Sequence, residues 1–103
     1  MDRFYSTLSL SMRARKLIYG FDTVKENIGN IHLLLVASDL SQKSVKEVIF
    51  LAGKHGIPCF PLDKTMEETG NLIGKKTGII GIADEGFASK LISIKNETEE
   101  TNI

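Results

Sequence analysis

The chain has 103 residues, 42% of them hydrophobic, and carries 13 Lys and Arg against 13 Asp and Glu. This length fits one domain, and this composition is typical of a globular protein. The longest apolar run, from Ile31 to Ala37, is far shorter than a membrane span. A single cysteine excludes an internal disulfide and a zinc site built from several thiolates of one chain. The N-terminus lacks the apolar stretch of a signal peptide. We therefore expect a cytoplasmic protein with one domain over residues 1–95 and an acidic, disordered tail over residues 96–103.

The charges are unevenly distributed along the chain. Residues 3–25 contain five cations and one anion, whereas residues 95–103 contain one cation and three anions. A neutral total is unusual for a dedicated nucleic-acid binder. The acidic tail, however, offsets a body that is basic, so the net charge alone does not exclude RNA as a partner.

The first half of the chain predicts two helices and a buried strand. Apolar residues at helical spacing predict a helix from Tyr5 to Tyr19, which Gly20 would end. The capping-box pattern Thr23-Val-Lys-Glu26 predicts that a short second helix begins at Thr23. The apolar run from Ile31 to Ala37 predicts a strand that is buried on both faces.

The second half continues the alternation of strands and helices. The predicted elements are a helix from Ser41 to Gly56, a strand over Ile57–Leu62 with edge-favouring prolines, and a helix from a second capping box at Thr65 to Gly74. A strand over Gly78–Asp84, a short helix over Gly86–Lys90 and a last strand over Leu91–Ile94 follow. This order predicts an α/β sandwich with helices on both faces of a small sheet.

The residues that could support catalysis or metal binding form no convincing site. Cys59 lies in a predicted strand, where cysteines are usually inert packing residues. His32 and His55 have no Cys, Asp or Glu neighbour at metal-ligand spacing. The segment from Gly70 to Thr77 resembles a P-loop, but a helix leads into Gly74 where a P-loop requires a strand. We therefore predict no enzymatic activity, no cofactor and no metal.

Two predicted turns could form an RNA-binding surface. The turn Gly20-Phe21-Asp22-Thr23 opens one helix and the loop Asp63-Lys64-Thr65-Met66 opens another, so backbone N–H groups would face outward beside local cations. The residue types alone favour the plainer interpretation, in which these are ordinary capped turns with solvated charges.

Several segments, taken in order, resemble a known family. Their sequences are similar to the ribosomal proteins L-seven-Ae and L-thirty-e, which bind kink-turn RNA, and in particular to the bacterial YlxQ/YbxF proteins. The segment over Glu67–Lys75 matches the helix pattern E-E-L-G-x-A-I-G-K, and Asp84–Leu91 matches the ending D-E-G-F-A-K. The other matching segments are Leu8–Gly20, Leu33–Ser41 and Gly56–Pro58.

This resemblance implies a three-layer α-β-α sandwich with a small mixed sheet of about four strands. It also implies an RNA site formed by the glycine turn and by the loop before the E-E-L-G helix. The family's glycine turn reads G-x-N-E with a lysine three residues later, and the glutamate accepts hydrogen bonds from a guanine at sheared G·A pairs. Here Asp22, Thr23 and Glu26 occupy the Asn, Glu and Lys positions, and Thr65-Met66 replaces Ser-Lys in the second loop.

These substitutions weaken the expected RNA contacts. A hydroxyl replaces a carboxylate, and charged hydrogen bonds are about twice as strong as neutral ones. If Thr23 also caps the helix, its oxygen is already used. We therefore hypothesise that Asp22 supplies the missing carboxylate.

The sequence thus predicts a non-catalytic protein that binds kink-turn or other structured RNA, including ribosomal RNA, in association with the ribosome. We expect a monomer, with ribosomal or other proteins as further candidate partners and no membrane. The alternative is a protein-interaction module of the same fold with reduced or lost RNA affinity. The predicted RNA-binding residues are Arg13, Lys16, Gly20, Phe21, Asp22, Thr23, Lys25, Asp63, Lys64, Thr65 and Met66.

Overall fold

The computed structural model describes residues 2–101, and within this range the chain forms five α-helices, one 3-10 turn and four strands. The order is α1 (Arg3–Arg13), β1 (Leu17–Tyr19), α2 (Phe21–Glu26), the 3-10 turn (Ile28–Asn30), β2 (Leu33–Val36), α3 (Gln42–His55), β3 (Cys59–Pro61), α4 (Met66–Ile73), β4 (Ile79–Ile82) and α5 (Glu85–Thr101).

The strands form one mixed sheet in the order β1-β4-β2-β3. β4 is antiparallel to both β1 and β2, whereas β3 is parallel to β2. All four residues of β2 and all four of β4 are buried, as expected for central strands that are covered on both faces. The proline-containing β3 lies at an edge, where a missing N–H donor is tolerated.

Helices cover both faces of the sheet, which confirms the predicted three-layer sandwich. Successive side chains of a strand point to opposite faces. Leu33 and Leu35 of β2 therefore pack with α1, α4 and α5, through Leu8, Ile73, Leu91 and their neighbours. Leu34 and Val36 pack on the other face with α2 and α3, through Val24, Val48, Leu51 and Ala52.

The prediction of one helix from Tyr5 to Tyr19 is wrong at its C-terminal end. Arg15 has a φ of 60°, and the Lys16 amide donates to the Ser11 carbonyl at 3.0 Å, so the helix closes with a left-handed turn. Leu17–Tyr19 then pairs with β4 as an edge strand. Sheet pairing has overridden the helical spacing of these apolar residues.

The structure also differs from the prediction beyond Gly86. α5 is one helix over Glu85–Thr101, where the sequence predicts a short helix, a strand and a disordered tail from residue 96. Ala88, Leu91 and Ile94 recur at three-residue spacing and are all buried, which is the pattern of a helix face. Arg3 forms a 2.9 Å ion pair with Glu97, so α5 also contacts the start of α1. Residues 102–103 of the predicted tail lie outside the described residues.

Candidate nucleic-acid interface

Four turns emerge at one end of the sheet, which we call the loop end. Tyr19 at the end of β1 pairs with Ile80 near the start of β4, and Val36 at the end of β2 pairs with Ile79. Val36 also lies beside Pro61 at the end of β3. The turns that follow β1, β2 and β3 and the one that precedes β4 therefore lie together. The Gly20 turn and the Asp63–Met66 loop are two of these four.

Backbone hydrogen bonds connect these turns. The Gly20 amide donates to the Ile79 carbonyl at 3.0 Å, and the Ala37 amide donates to the Gly78 carbonyl at 2.9 Å. The Ser38 amide donates to the Lys64 carbonyl at 2.9 Å. The segment after β2 is thus bonded both to the turn before β4 and to the Asp63–Met66 loop, so the loop end is a connected surface.

The glycine turn begins α2 two residues earlier than predicted. Gly20 is the N-cap, with φ 85° and ψ 152°, and the helix starts at Phe21. Thr23 is therefore the third helical residue and does not cap the helix, which corrects the capping-box prediction. No side chain among the described residues caps α2. The hydroxyl of Thr23 and the carboxylate of Asp22 are both on exposed residues, as is the amine of Lys25.

The second loop carries the capping box predicted at Thr65. The Glu68 amide donates to Thr65 Oγ1 at 3.1 Å, and the Thr65 amide donates to Glu68 Oε1 at 3.0 Å. The hydrogen bond that the Thr65 amide donates to the Glu68 carboxylate is the main cause that lowers the pKa of Glu68. The Met66 amide donates to Asp39 Oδ1 at 2.9 Å. Because these amides already have acceptors, the start of α4 offers fewer donors than the sequence suggested.

The buried residue Tyr5 contacts both charged side chains of the Asp63–Met66 loop. The hydroxyl of Tyr5 donates to Asp63 Oδ1, and Lys64 Nζ lies 5.0 Å from the centre of the Tyr5 ring. Burial raises the pKa of Tyr5, and the hydrogen bond to Asp63 raises it further. Tyr5 thus fixes both charged residues of the loop. No local pattern in the sequence indicates this role, because Tyr5 is 58 positions from Asp63.

Met66, one of the predicted RNA-binding residues, packs within the protein and is only partly accessible to a ligand. It is partly buried, and its sulfur lies 3.2 Å from where a Cβ on Gly78 would be. Leu40 Cδ1 lies 2.6 Å from the same point. Gly78 therefore leaves the space into which Leu40 and Met66 pack, and a side chain there would require these two side chains to move.

Arg13 and Lys16 do not join the other predicted residues. The Ala83 amide donates to the Lys16 carbonyl at 2.8 Å, so Lys16 lies where β4 ends, opposite the loop end. β1 separates Lys16 from Gly20, and three strand residues span about 10 Å. Arg13 ends α1 on the same far side. These two predicted RNA-binding residues therefore lie away from the glycine turn, although both precede it closely in sequence.

The structure instead brings Lys75 to the loop end. Its Nζ lies 5.1 Å from the centre of the Tyr19 ring, immediately before Gly20. Gly74 ends α4 in the left-handed conformation, with φ 78°, which directs the chain toward β4. This geometry matches the helix end inferred for Gly74 and differs from the strand–loop–helix order of a P-loop. The family pattern matched over Glu67–Lys75 ends in this Gly-Lys pair, so the sequence contained a feature that could have identified Lys75 as a candidate site residue.

The remaining chemical candidates lie apart from this surface. Cys59 is half-buried in β3, and burial raises the pKa of its thiol, which disfavours the nucleophilic thiolate. Within residues 2–101, no three His, Cys, Asp or Glu side chains form a group that could hold a metal ion. No helix in that range is both long and apolar enough to cross a membrane.

Comparisons with known proteins agree with this architecture. The model of the ribosomal protein L7Ae/L30e/S12e/Gadd45 family matches residues 2–92. An RNA-binding protein YlxQ from Enterococcus faecium is 38% identical over 85 residues, which cover 81% of this chain and 82% of that protein. An RNA-binding protein YlxQ from Bacillus subtilis (strain 168) is 32% identical over 94 residues, covering 88% of this chain and 93% of that protein. The structure of a protein with unknown function from Bacillus halodurans C superposes with a TM-score of 0.86 at 29% identity, covering 91% of this chain and 97% of that one.

Proposed function

Because the chain belongs to the ribosomal protein L7Ae/L30e/S12e/Gadd45 family, we propose that it binds structured RNA without catalysis, and that its ligand is a kink-turn. Two relatives are named as RNA-binding proteins, which supports RNA as the class of ligand. Ribosomal RNA is the natural source of such a motif for a protein of this family, and we place the protein with the ribosome in the cytoplasm.

The observation that carries the proposal is the joining of two distant turns at the loop end. The Gly20 turn and the Asp63–Met66 loop are about 40 positions apart, yet backbone hydrogen bonds connect them through the segment after β2. The Gly20 amide donates to Ile79, and the neighbouring Gly78 accepts from Ala37. Ser38, the next residue, donates to Lys64 of the loop. The Gly20 turn forms the first wall of this surface and the Asp63–Met66 loop forms the second. Two such walls fit a bent RNA element, because structured RNA is recognised largely by shape and by unstacked bases. Tyr5 and the capping box hold the second wall in a fixed position.

The glycine turn is the wall that would read bases. Asp22 and Thr23 follow Gly20 at the start of α2, where both are exposed and neither caps the helix. A carboxylate accepts hydrogen bonds from the amino and imino groups of guanine, so Asp22 takes the role of the family's glutamate. Lys25 and Lys75 would contact phosphate, as would Lys64 on the other wall.

The substitutions in this turn predict an affinity below that of the G-x-N-E pattern. Loss of one good base contact costs about 1–3 kcal/mol. Glu26, which is exposed on α2, stands where the pattern has a lysine, and the loss of one phosphate contact lowers the salt slope by about one unit. Together these changes weaken binding by about two to three orders of magnitude.

The same substitutions favour the second candidate function, a protein-interaction module that keeps the fold. Restoring the pattern distinguishes the two. The double variant Thr23→Glu/Glu26→Lys should strengthen kink-turn binding by about a hundredfold or more if this turn contacts the RNA. Glu85→Gln, which also raises the net charge by one but at the exposed start of α5 on the far side, is the matched control and should leave the affinity nearly unchanged.

A loss-of-function variant completes the test. Asp22→Ala in the otherwise wild-type protein should abolish detectable kink-turn binding. The same substitution should reduce the affinity much less in the Thr23→Glu/Glu26→Lys background, where a second carboxylate is present. The measurement is fluorescence anisotropy with a labelled kink-turn RNA. Equal affinities for wild type, Asp22→Ala and the double variant would refute the proposal and favour the protein-interaction module.

A further inference from the structure

A groove between α2 and α3 extends from the glycine turn along the outer face of the molecule. Phe21 and Lys25 of α2 form one side, and α3 forms the other with Lys46, Glu47, Phe50, Leu51 and Lys54. Phe21 directly follows Gly20, so the groove begins where the proposed base-reading turn ends. The groove is therefore continuous with that surface.

Phe50 is exposed far more than packing would require. Its side chain is 74% exposed, compared with 56% for Ile49 and 46% for Leu10, the other large exposed hydrophobic residues of the described chain. α3 packs on the sheet through Val48, Leu51 and Ala52, and Phe50 belongs to neither core cluster. The ring thus contributes little to the core and is available to a ligand.

The charges around Phe50 favour an anionic ligand. Three lysines and one glutamate line the groove, although the whole chain has a formal net charge of zero. None of these lysines forms an ion pair within the described residues, where the ion pair found is Arg3 with Glu97. Lys43, exposed one turn before Lys46 and Glu47, extends the basic face of α3 toward the loop end.

An exposed aromatic ring between flexible amines is the arrangement with which proteins bind single-stranded nucleic acid. Bases stack on the ring, and lysines neutralise the adjacent phosphates. From Lys46 to Lys54 the axis of α3 rises about 12 Å, which is long enough for a short stretch of nucleotides. An acidic peptide would also satisfy the lysines, but it has no flat group that matches the exposed ring as a base does.

We propose that the α2–α3 groove binds a single-stranded stretch of RNA adjacent to the structured element, with one base stacked on Phe50 and its phosphates at Lys46 and Lys54. This inference rests on the proposed function, since it assumes that the structured element lies at the Gly20 turn. It assigns a role to residues on α3 that the two walls do not include.

The test uses three RNA probes: a kink-turn alone, the same kink-turn with a single-stranded uridine extension, and the uridine oligonucleotide alone. For the wild-type protein the extension should increase affinity, and Phe50→Ala should remove that gain. A stacked base is expected to account for about 5- to 150-fold in affinity. Phe50→Ala should bind the kink-turn without extension as wild type does.

Two matched controls separate the groove from general effects. Ile49→Ala removes an exposed apolar side chain next to Phe50 but outside the groove lining, and should keep the gain. Lys46→Ala/Lys54→Ala should reduce the salt slope for the extended RNA by about 1.4, from two single-strand phosphates. Lys90→Ala/Lys95→Ala, which removes the same charge from α5 in the other helix layer, should leave the slope unchanged.

The outcomes distinguish this inference from the proposed function. Tight binding to the kink-turn with no gain from the extension overturns the groove and leaves the proposed function intact. A gain that Phe50→Ala and Ile49→Ala reduce equally also overturns the groove. No binding to the kink-turn, but Phe50-dependent binding to the uridine oligonucleotide, supports the groove as an RNA site and refutes the kink-turn. Phe50-dependent binding to an acidic peptide but to no RNA assigns the groove to a protein partner and overturns the inference.

Discussion

Substituting Gly20 with alanine should destabilise the protein through the backbone alone. Gly20 has φ 85° and ψ 152°, a region that is essentially confined to glycine. A Cβ added at this position would meet no heavy atom within 4 Å, so steric crowding makes no contribution. The expected cost is the conformational strain itself, about 1–3 kcal/mol. For a domain of this size, that corresponds to a decrease in Tm of roughly 5–20 °C.

The assay is urea unfolding followed by circular dichroism, with Gly29→Ala as the matched control. A Cβ added at Gly29 would also meet no heavy atom within 4 Å, but the φ of Gly29 is not in the left-handed region. Gly29→Ala should therefore change the free energy of unfolding by less than about 1 kcal/mol. Equal effects of the two substitutions would refute the argument, because they would show that the conformation of Gly20 carries no special cost.

Two further predictions follow from the packing and from the pKa values. Gly53→Ala should stabilise α3 by roughly 0.5–1 kcal/mol because its Cβ enters open space. Gly70→Ala in α4 should destabilise the protein because its Cβ would lie 3.0 Å from the Lys76 backbone. The two substitutions should therefore shift the Tm in opposite directions, and shifts in the same direction would contradict the reasoning. Burial raises the pKa of both Tyr5 and Tyr19, the two tyrosines of the chain. In the unfolded protein the absorbance of tyrosinate at 295 nm should rise with a midpoint at about pH 10. In the folded protein the same rise should occur at a higher pH. Because the folded pKa is raised, the associated stability is present below about pH 10 and is lost above it; coincident titrations of folded and unfolded protein would contradict this.

The parts of the fold that the sequence predicted correctly are those with strong local signals. The central strand at Leu33–Val36 is a continuous apolar run, and α3 is bounded by Ser41 and by a left-handed Gly56. The capping box at Thr65 placed the start of α4 at the correct residue. In these segments local preference and tertiary packing favour the same structure.

The errors occur where tertiary contacts decide the conformation. Leu17–Tyr19 has helical spacing with α1, but the left-handed turn at Arg15 redirects it to pair with β4. The capping-box pattern at Thr23 is present in the sequence, but the bond from Gly20 to Ile79 fixes where the turn begins. Such long-range contacts cannot be derived from neighbouring residues alone.

The sequence predicted the two turns that the structure brings together at the loop end, but not all of the cations beside them. The glycine pattern, the capping box at Thr65 and the family resemblance pointed to these turns. Lys16 precedes Gly20 closely in sequence, yet a strand carries it to the opposite end of the sheet. Lys75 is distant in sequence, yet it reaches Tyr19 beside the turn. Which cations lie near the glycine turn could therefore be predicted only once the sheet topology was known.

The central claim is that the loop end recognises a kink-turn. The most direct measurement titrates the protein into a kink-turn RNA and into the same RNA with its G·A pairs replaced, at low and physiological salt. We predict tighter binding to the intact kink-turn at both salt concentrations, because base contacts survive the screening that weakens phosphate contacts. Equal binding to both RNAs that disappears as salt is raised would contradict the claim, since it would leave only contacts to the RNA backbone.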